Sequence, residues 1–350
     1  MKTLSSVKAL FISLSLLVSY TIPYCLAAQK TAYVTIDGDI IEDDEKHHNT
    51  SSTVSCALLI SSGSSYTGTN IVVSTVCRSS SFGDAAIYSK GGKFLNLGAN
   101  YGWSSVTVSK GGVYGGYSSA IELSDMTETS TIYNTKIYNY ADGGTGIRLW
   151  NNSNLLLDNV EIYNASDTAI HASRNATISN KGNGIIRIST TGDNEASIFA
   201  SGDSKVTLYN THIENKKSST RGVLVGDSST ISLTNSSISS VNNNTLISGS
   251  GNLEVSLSNV DLSKSKNQRI SASSDLTVNI QNGTSFDGYT SQENDGSINI
   301  NLTKSSWNIT KNSNLFSLSL NENSFLTFNF GNGDKFYYIS AGSVFMDKSS

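Results

Sequence analysis

Apolar and polar residues alternate in short runs along most of this chain, and the runs recur at a near-constant interval. The unit is an alternating apolar run that ends in asparagine, followed by a second short apolar run. It occurs as Ile132-Tyr133-Asn134 with Ile137, Leu157-Asp158-Asn159 with Ile162, Leu208-Tyr209-Asn210 with Ile213, Leu233-Thr234-Asn235 with Ile238, and Leu257-Ser258-Asn259 with Leu262. Ile280-Gln281-Asn282 continues it, with Phe286 one residue later than the pattern requires. The intervals between Asn134, Asn159, Asn210, Asn235, Asn259 and Asn282 are 25, 51, 25, 24 and 23 residues. The long interval has room for one degenerate unit, Ile178-Ser179-Asn180. A second series runs out of phase with the first: Ile87, Ile121, Ile147, Ile170, Ile198, Val223, Leu246 and Ile270. Each unit of about 24 residues therefore carries three short strands joined by polar bends.

A period of this size selects repeat architectures, and the strand patterning narrows the choice. No helical periodicity lies between the strands, which removes leucine-rich, ankyrin and tetratricopeptide repeats. A propeller blade needs roughly 40 residues or more, and a sandwich imposes no fixed interval. An all-β, right-handed parallel β-helix remains, with about 24 residues per coil, about 13 coils and a length on the order of 60 Å at the usual inter-strand spacing. Alternation sends Ile132, Leu157, Leu208, Leu233 and Leu257 inward as one stack, with the residues between them facing water. Asparagine suits the bends because it tolerates a left-handed backbone, and stacked amides can bond to one another as a ladder along the axis.

Composition changes the picture in a few places. The only proline, Pro23, precedes the repeats, as expected where nearly every residue joins a ladder. The 28 acidic side chains outnumber 24 basic ones, two of which, Lys2 and Lys8, lie at the amino terminus, so no basic face for nucleic acid follows. Residues 1–28 read as a signal peptide, with those lysines, an apolar stretch from Ala9 to Tyr20 and small residues at Ala27 and Ala28. Residues 29–50 are acidic and are assigned to an amino-terminal cap, and 51–350 to the β-helix, with aromatic-rich coils from about 315 whose bulk makes either the most stable coils or a terminal cap. Cys56 and Cys77, the two cysteines beyond the leader, form an even pair in an exported chain and are expected to be disulfide-bonded.

The leader, the Ser/Thr/Asn/Gly-rich coils and units such as Lys205-Val206-Thr207-Leu208-Tyr209-Asn210-Thr211-His212-Ile213 resemble autotransporter passenger domains of the pertactin-like, pectate-lyase-like β-helix type, over about residues 50 to 345. The resemblance implies an exported bacterial protein at the cell surface or outer membrane, or secreted, that acts in adhesion, aggregation and virulence. It also implies an outer-membrane translocator barrel. No series of alternating ten-residue strands precedes Ser350, so that barrel is expected outside this sequence, and without it the product stays periplasmic.

Candidate chemistry is sparse. Gly202-Asp203-Ser204 and Gly226-Asp227-Ser228 lack the glycine after serine of a protease motif and fall at one phase of the repeat, which makes them bends. Asp142, Asp158, Glu161, Asp167, Arg148, Arg187 and Arg221 are raw material for the alternative, a carbohydrate-active β-helix enzyme, but form no close acidic cluster in the sequence. The acidic run from Asp37 to Glu45 beside His47 and His48 matches no metal-site spacing, so no metal, cofactor or catalytic residue is assigned. Outward aromatic side chains are the better contact candidates: Tyr133, Tyr138, Tyr140, Tyr163, Tyr209 and Trp150, with Tyr133, Tyr163 and Tyr209 expected along one face. The implied partners are a host-surface protein or glycan, or a second copy of the chain.

Overall fold

The computed structural model describes residues 32–350 apart from 45–46, 50–55, 77–83, 110–117, 142, 166, 182, 192–195, 218–220, 242–243, 329–336 and 348–350. Thr31–Ser350 forms one compact unit. Its strands pair in parallel from coil to coil, as a right-handed solenoid, and no helix occurs among the described residues. Parallel crossovers take this hand because a right-twisted strand can pack back onto its sheet only that way.

One coil shows the plan. The strand Thr145–Trp150 lies on the first face. The chain turns at Asn151 and Asn152, both with positive φ, and enters the strand Asn154–Ala165. This strand crosses the second face, bends at Asn159 and continues along the third. Its first part pairs with Thr177–Asn180 and its second with Ile186–Thr190. A loop then returns the chain to Ile170–Ser173 on the first face. That face stacks 13 strands. The segment 32–49 supplies the first strand of each face: Ala32 opposes Cys56, Asp39 opposes Ser65, and His47 opposes Val72.

The interior is filled by like residues standing over like. On the first face Ile87, Ile121, Ile147, Ile170, Ile198 and Val223 are in register and fully buried. The next member is Ile247, which corrects the expectation of Leu246: Val223 opposes Ile247, and an irregularity between Thr245 and Ile247 absorbs the extra residue. On the second face Leu208, Leu233, Leu257, Ile280, Leu302 and Leu320 form the matching stack. Each such side chain contributes about 1.5–3 kcal/mol by leaving water.

The degenerate unit departs from the pattern. Asn180 sits opposite Leu157, where the stack calls for an apolar residue, and it is buried. Its amide donates to the Tyr209 carbonyl and accepts from the Tyr209 N–H, both at 2.8 Å. Those two bonds satisfy a polar group that would otherwise be costly inside the core.

The corners explain the recurrent asparagine. Asn134, Asn159, Asn210, Asn235, Asn259 and Asn282 all have φ between 43° and 54°, the left-handed region that short polar side chains enter most readily after glycine. Asn159 Nδ2 donates to Asn134 Oδ1, and Asn259 Nδ2 to Asn235 Oδ1, each at 2.8 Å. Asn134 Nδ2 reaches the Ala99 carbonyl, and Asn282 Nδ2 reaches Ser258 Oγ. Buried hydroxyls staple the same corner: Thr211 N–H donates to Ser236 Oγ at 3.0 Å, and the Ser236 hydroxyl donates to its own Thr234 carbonyl at 2.8 Å.

The corner between the first and second faces is built the same way. Gly202 and Asp203, and one coil on Asp227 and Ser228, have positive φ. These triplets are bends, but they do not stack identity over identity. Lys205 opposes Thr230, and the Ser204 N–H donates to Ser229 Oγ at 3.0 Å, so Gly202-Asp203-Ser204 lies over Asp227-Ser228-Ser229.

Towards the carboxy terminus the third and first faces merge. The single strand Ser285–Gln292 pairs with Gln268–Ala272 through its second half and with Ser306–Ile309 through its first. Phe286 and Trp307 fill this narrower interior, 1% and 0% exposed. In the aromatic-rich segment beyond them, expected to make the most stable coils or a terminal cap, two of the described phenylalanines point away from the core. Phe325 and Phe345 occupy outward register positions opposite Ser306 and Ser319, and both are exposed.

Candidate functional site

The third face carries a connected group of outward side chains. Lys136, Glu161 and Arg187 stand over one another on successive coils. Alternation fixes them outward because Ile137, Ile162 and Ile188 beside them are buried. Glu161 accepts an ion pair from Arg187 at 3.1 Å and from Lys136 at 3.5 Å, together with the Tyr163 hydroxyl at 2.5 Å. Burial, and then this bond to Glu161, pushes the Tyr163 phenol up to about 12.

Two residues further along the same strands, Tyr138 opposes Tyr163, and the rings stack at 5.2 Å. Tyr140 stacks on Tyr138 at 6.2 Å with an interplanar angle of 6°, and is 47% exposed. Lys136 Nζ lies 4.7 Å from the centre of the Trp103 ring, which is 37% exposed. The result is an aromatic strip edged by a cation–carboxylate–cation row. Its carboxylate is held by two cations and a phenol, so it is a structural anchor for the row. The exposed guanidinium, the ammonium and the aromatic faces are what this surface offers a partner.

A second group lies on the outside of the first face. Glu122, Arg148, His171 and Phe199 are in register on four coils. Arg148, only 5% exposed, donates to Thr145 Oγ1 at 3.0 Å and lies between Glu122 at 4.0 Å and Asp167 at 3.5 Å. Trp150 meets His171 at 5.6 Å with the rings tilted by 40°, and stands between the guanidiniums of Arg148 and Arg174 at 5.7 and 5.3 Å. His171 is held against Phe199 at 4.6 Å. Burial, and then the Arg148 charge, pushes its imidazole down to about 3.

These placements divide the contact candidates. Tyr138 and Tyr163 meet on the third face, Tyr133 and Tyr209 lie on the second, and Trp150 lies on the first. Tyr133 opposes Asp158 and Tyr209 opposes Thr234, so Tyr133, Tyr163 and Tyr209 do not form one line. Residue parity decides this: each corner asparagine hands the chain to a new face, and Tyr163 lies beyond Asn159 whereas Tyr133 and Tyr209 precede their own corners. Cys56 is buried on the first face, and Cys77 lies outside the described residues, as does Asp142. Glu161 and Arg187 meet on the third face and Arg148 and Asp167 on the first, while Asp158 belongs to the second. Lys136, Trp103, Glu122, His171 and Arg174 were not singled out from the sequence. For Lys136, Glu122 and His171 a signal was available, since each sits beside an apolar residue of a counted series. No group of three or more metal-ligating side chains occurs among the described residues.

No protein-family model, curated protein or solved structure matches the chain.

Proposed function

We propose that this chain is an exported surface rod of the autotransporter-passenger kind, which adheres through the aromatic and cationic strip of its third face. The stack of Tyr138 on Tyr163, extended by exposed Tyr140 and edged by Trp103 over Lys136, carries the reading. Aromatic faces with a polar edge bind sugars and protein surfaces at low entropic cost, because two side-chain torsions fix a large contact area. The scaffold suits this use: a ladder of backbone hydrogen bonds holds the strip rigid, so little ordering accompanies binding.

Export rests on the leader-like residues 1–28, and assembly in an outer membrane would require a translocator barrel supplied outside this sequence. The test is adhesion of purified residues 29–350 to cultured cells and to immobilised glycans. Joint Trp103→Ala and Tyr138→Ala substitution should reduce binding at least tenfold while the unfolding midpoint stays within a few degrees. Adhesion that survives this change would overturn the assignment of the strip.

A further inference from the structure

The apolar core is left uncovered at the carboxy-terminal end of the solenoid. The strands Phe325–Phe328 and Ile339–Met346 make the last described coil, and each pairs only with the strand beneath it. Their register sets Leu326 over Trp307, Phe328 over Ile309, Val344 over Leu318 and Met346 over Leu320, so all four belong to the inward stack. The residues beneath are at most 6% exposed, whereas Phe328, Val344 and Met346 are 37%, 50% and 68% exposed. Core positions thus lie open beside two strand edges that no described strand occupies. Such an edge is a template for a further strand.

The outer wall changes at the same coil. Where Ser306 and Ser319 stand one coil earlier, Phe325 and Phe345 take the outward positions, 59% and 61% exposed. Both the interior and the wall of this coil are therefore built for contact.

We infer that this end pairs with the same end of a second copy, two rods joined tail to tail about a two-fold axis. An axis normal to the sheet containing Ile339–Met346 sets that strand antiparallel to its mate and leaves inward residues inward. Val344 and Met346 then continue one core across the junction, and Phe345 meets the outer wall of the second copy as a cross-strand aromatic neighbour. The contact is self-complementary, as a closed two-fold interface must be. The uncovered parts of Phe325, Phe328, Val344, Phe345 and Met346 come to roughly 1,100 Å² for a pair before the strand edges are counted, and a specific interface needs about 1,000 Å². The amino-terminal end of another copy is a poorer mate. There the inward Ile36 is already only 2% exposed, and the exposed Asp37 and Asp39 follow it. A bilayer would cover the apolar side chains but leave the backbone edges unsatisfied.

The pairing rests on register and exposure at this end and not on what the third-face strip binds. Since the strip lies on the coils of Tyr138 and Tyr163, it stays clear of the junction, and the pair is a longer rod carrying two strips. Two linked strips would hold a surface with an avidity that one lacks.

Sedimentation and small-angle X-ray scattering of residues 29–350 test the pairing. At about 10 μM the protein should sediment as a dimer, with a maximum dimension nearly twice that of one rod. Val344→Asp with Met346→Asp should weaken dimerisation at least about 100-fold by placing charge in the junction. Phe325→Ser with Phe345→Ser, which repeats the residues of the preceding coil and leaves the core alone, should weaken it at least about tenfold. Far-UV circular dichroism verifies that each variant is folded. A monomer at about 100 μM, a dimer no longer than one rod, or a dimer that both serine substitutions leave unchanged would overturn the pairing. So would a monomer that binds phosphatidylcholine vesicles through Phe325 and Phe345, which would assign this end to a membrane.

Discussion

The coils between Asn134 and Asn282 and those after Asn282 solve the same packing problem in different ways. In the first region stacked residues are about one unit apart, 25 residues at Asn134 and Asn159 and 24 at Asn235 and Asn259, and the interior is tiled by Ile, Val, Leu and small buried Ser and Thr. In the second the interval falls to 19 at Ser305 and Ser324. Fewer inward residues remain per coil, so each must be larger, and Phe286 and Trp307 pack at 5.9 Å to close the space. The corner changes too. Lys304 and Glu322 take left-handed φ where asparagine stood, and an ion pair at 2.8 Å replaces the amide link. Backbone conformation is therefore what the corner demands, and the side-chain chemistry above it is replaceable.

The sharpest way to break this comparison is to empty the narrow coils. Trp307→Ala removes the largest fully buried side chain and leaves the Gly288 carbonyl without its indole donor. It should cost about 3–5 kcal/mol, against about 2–5 kcal/mol for Leu233→Ala in the regular coils. Hydrogen exchange should show the loss confined to the coils near each substitution, because a solenoid is stabilised chiefly by nearest-neighbour contacts. Uniform loss of protection along the rod from either variant would contradict that.

Acid should separate the regions next. The folded pKa of His171 is near 3, below the unfolded value of 6.5, so the unfolded chain binds the extra proton. This group's contribution is therefore intact above about pH 6.5 and is lost as pH falls towards 3. The loss amounts to about 2–3 kcal/mol by pH 4.5. His171→Phe should flatten that slope in urea unfolding of the middle coils; an unchanged slope would refute the assignment.

A smaller effect tests the corner itself. Asn235→Ala should destabilise by about 1–2 kcal/mol, because alanine resists a φ of 49°, and Asn235→Gly should recover most of it. Equal losses would assign the asparagine's value to its amide bond instead. The smallest change is expected from Lys304→Asn, which exchanges an exposed ion pair for the amide of the regular corners and should leave the unfolding midpoint unmoved in high and low salt.

Much of the fold was legible because its period is written twice, in the inward apolar residues and in the left-handed asparagines. The third-face row, which runs on past Arg187 through His212, Ser237 and Asp261, was legible as well: Lys136, Glu161, His212, Ser237 and Asp261 each directly precede one of the apolar residues that define the repeat, Ile137, Ile162, Ile213, Ile238 and Leu262. What period alone could not supply was the register slip at Thr245 and Ile247, which a local irregularity sets, and the Asn180 substitution, where backbone partners from the next coil make a buried amide acceptable. The first-face cluster was legible in position, since Glu122, Arg148, His171 and Phe199 each directly follow Ile121, Ile147, Ile170 and Ile198 of the second series, but they share no residue type, so their chemistry showed only once register brought them together.

Register is the claim on which the third-face row, the corners and the packing all depend, and cross-linking tests it directly. In residues 29–350 carrying Cys56→Ala and Cys77→Ser, the pair Thr230→Cys with Glu254→Cys occupies opposed outward positions one rung apart. That spacing lies inside the range a disulfide spans, whereas the diagonal pair Thr230→Cys with Ser256→Cys lies beyond it. Mild oxidation should close the first pair within one molecule and leave the second as free thiols. Efficient closure of the diagonal pair, with the opposed pair unreactive, would contradict the parallel stacking of one coil on the next.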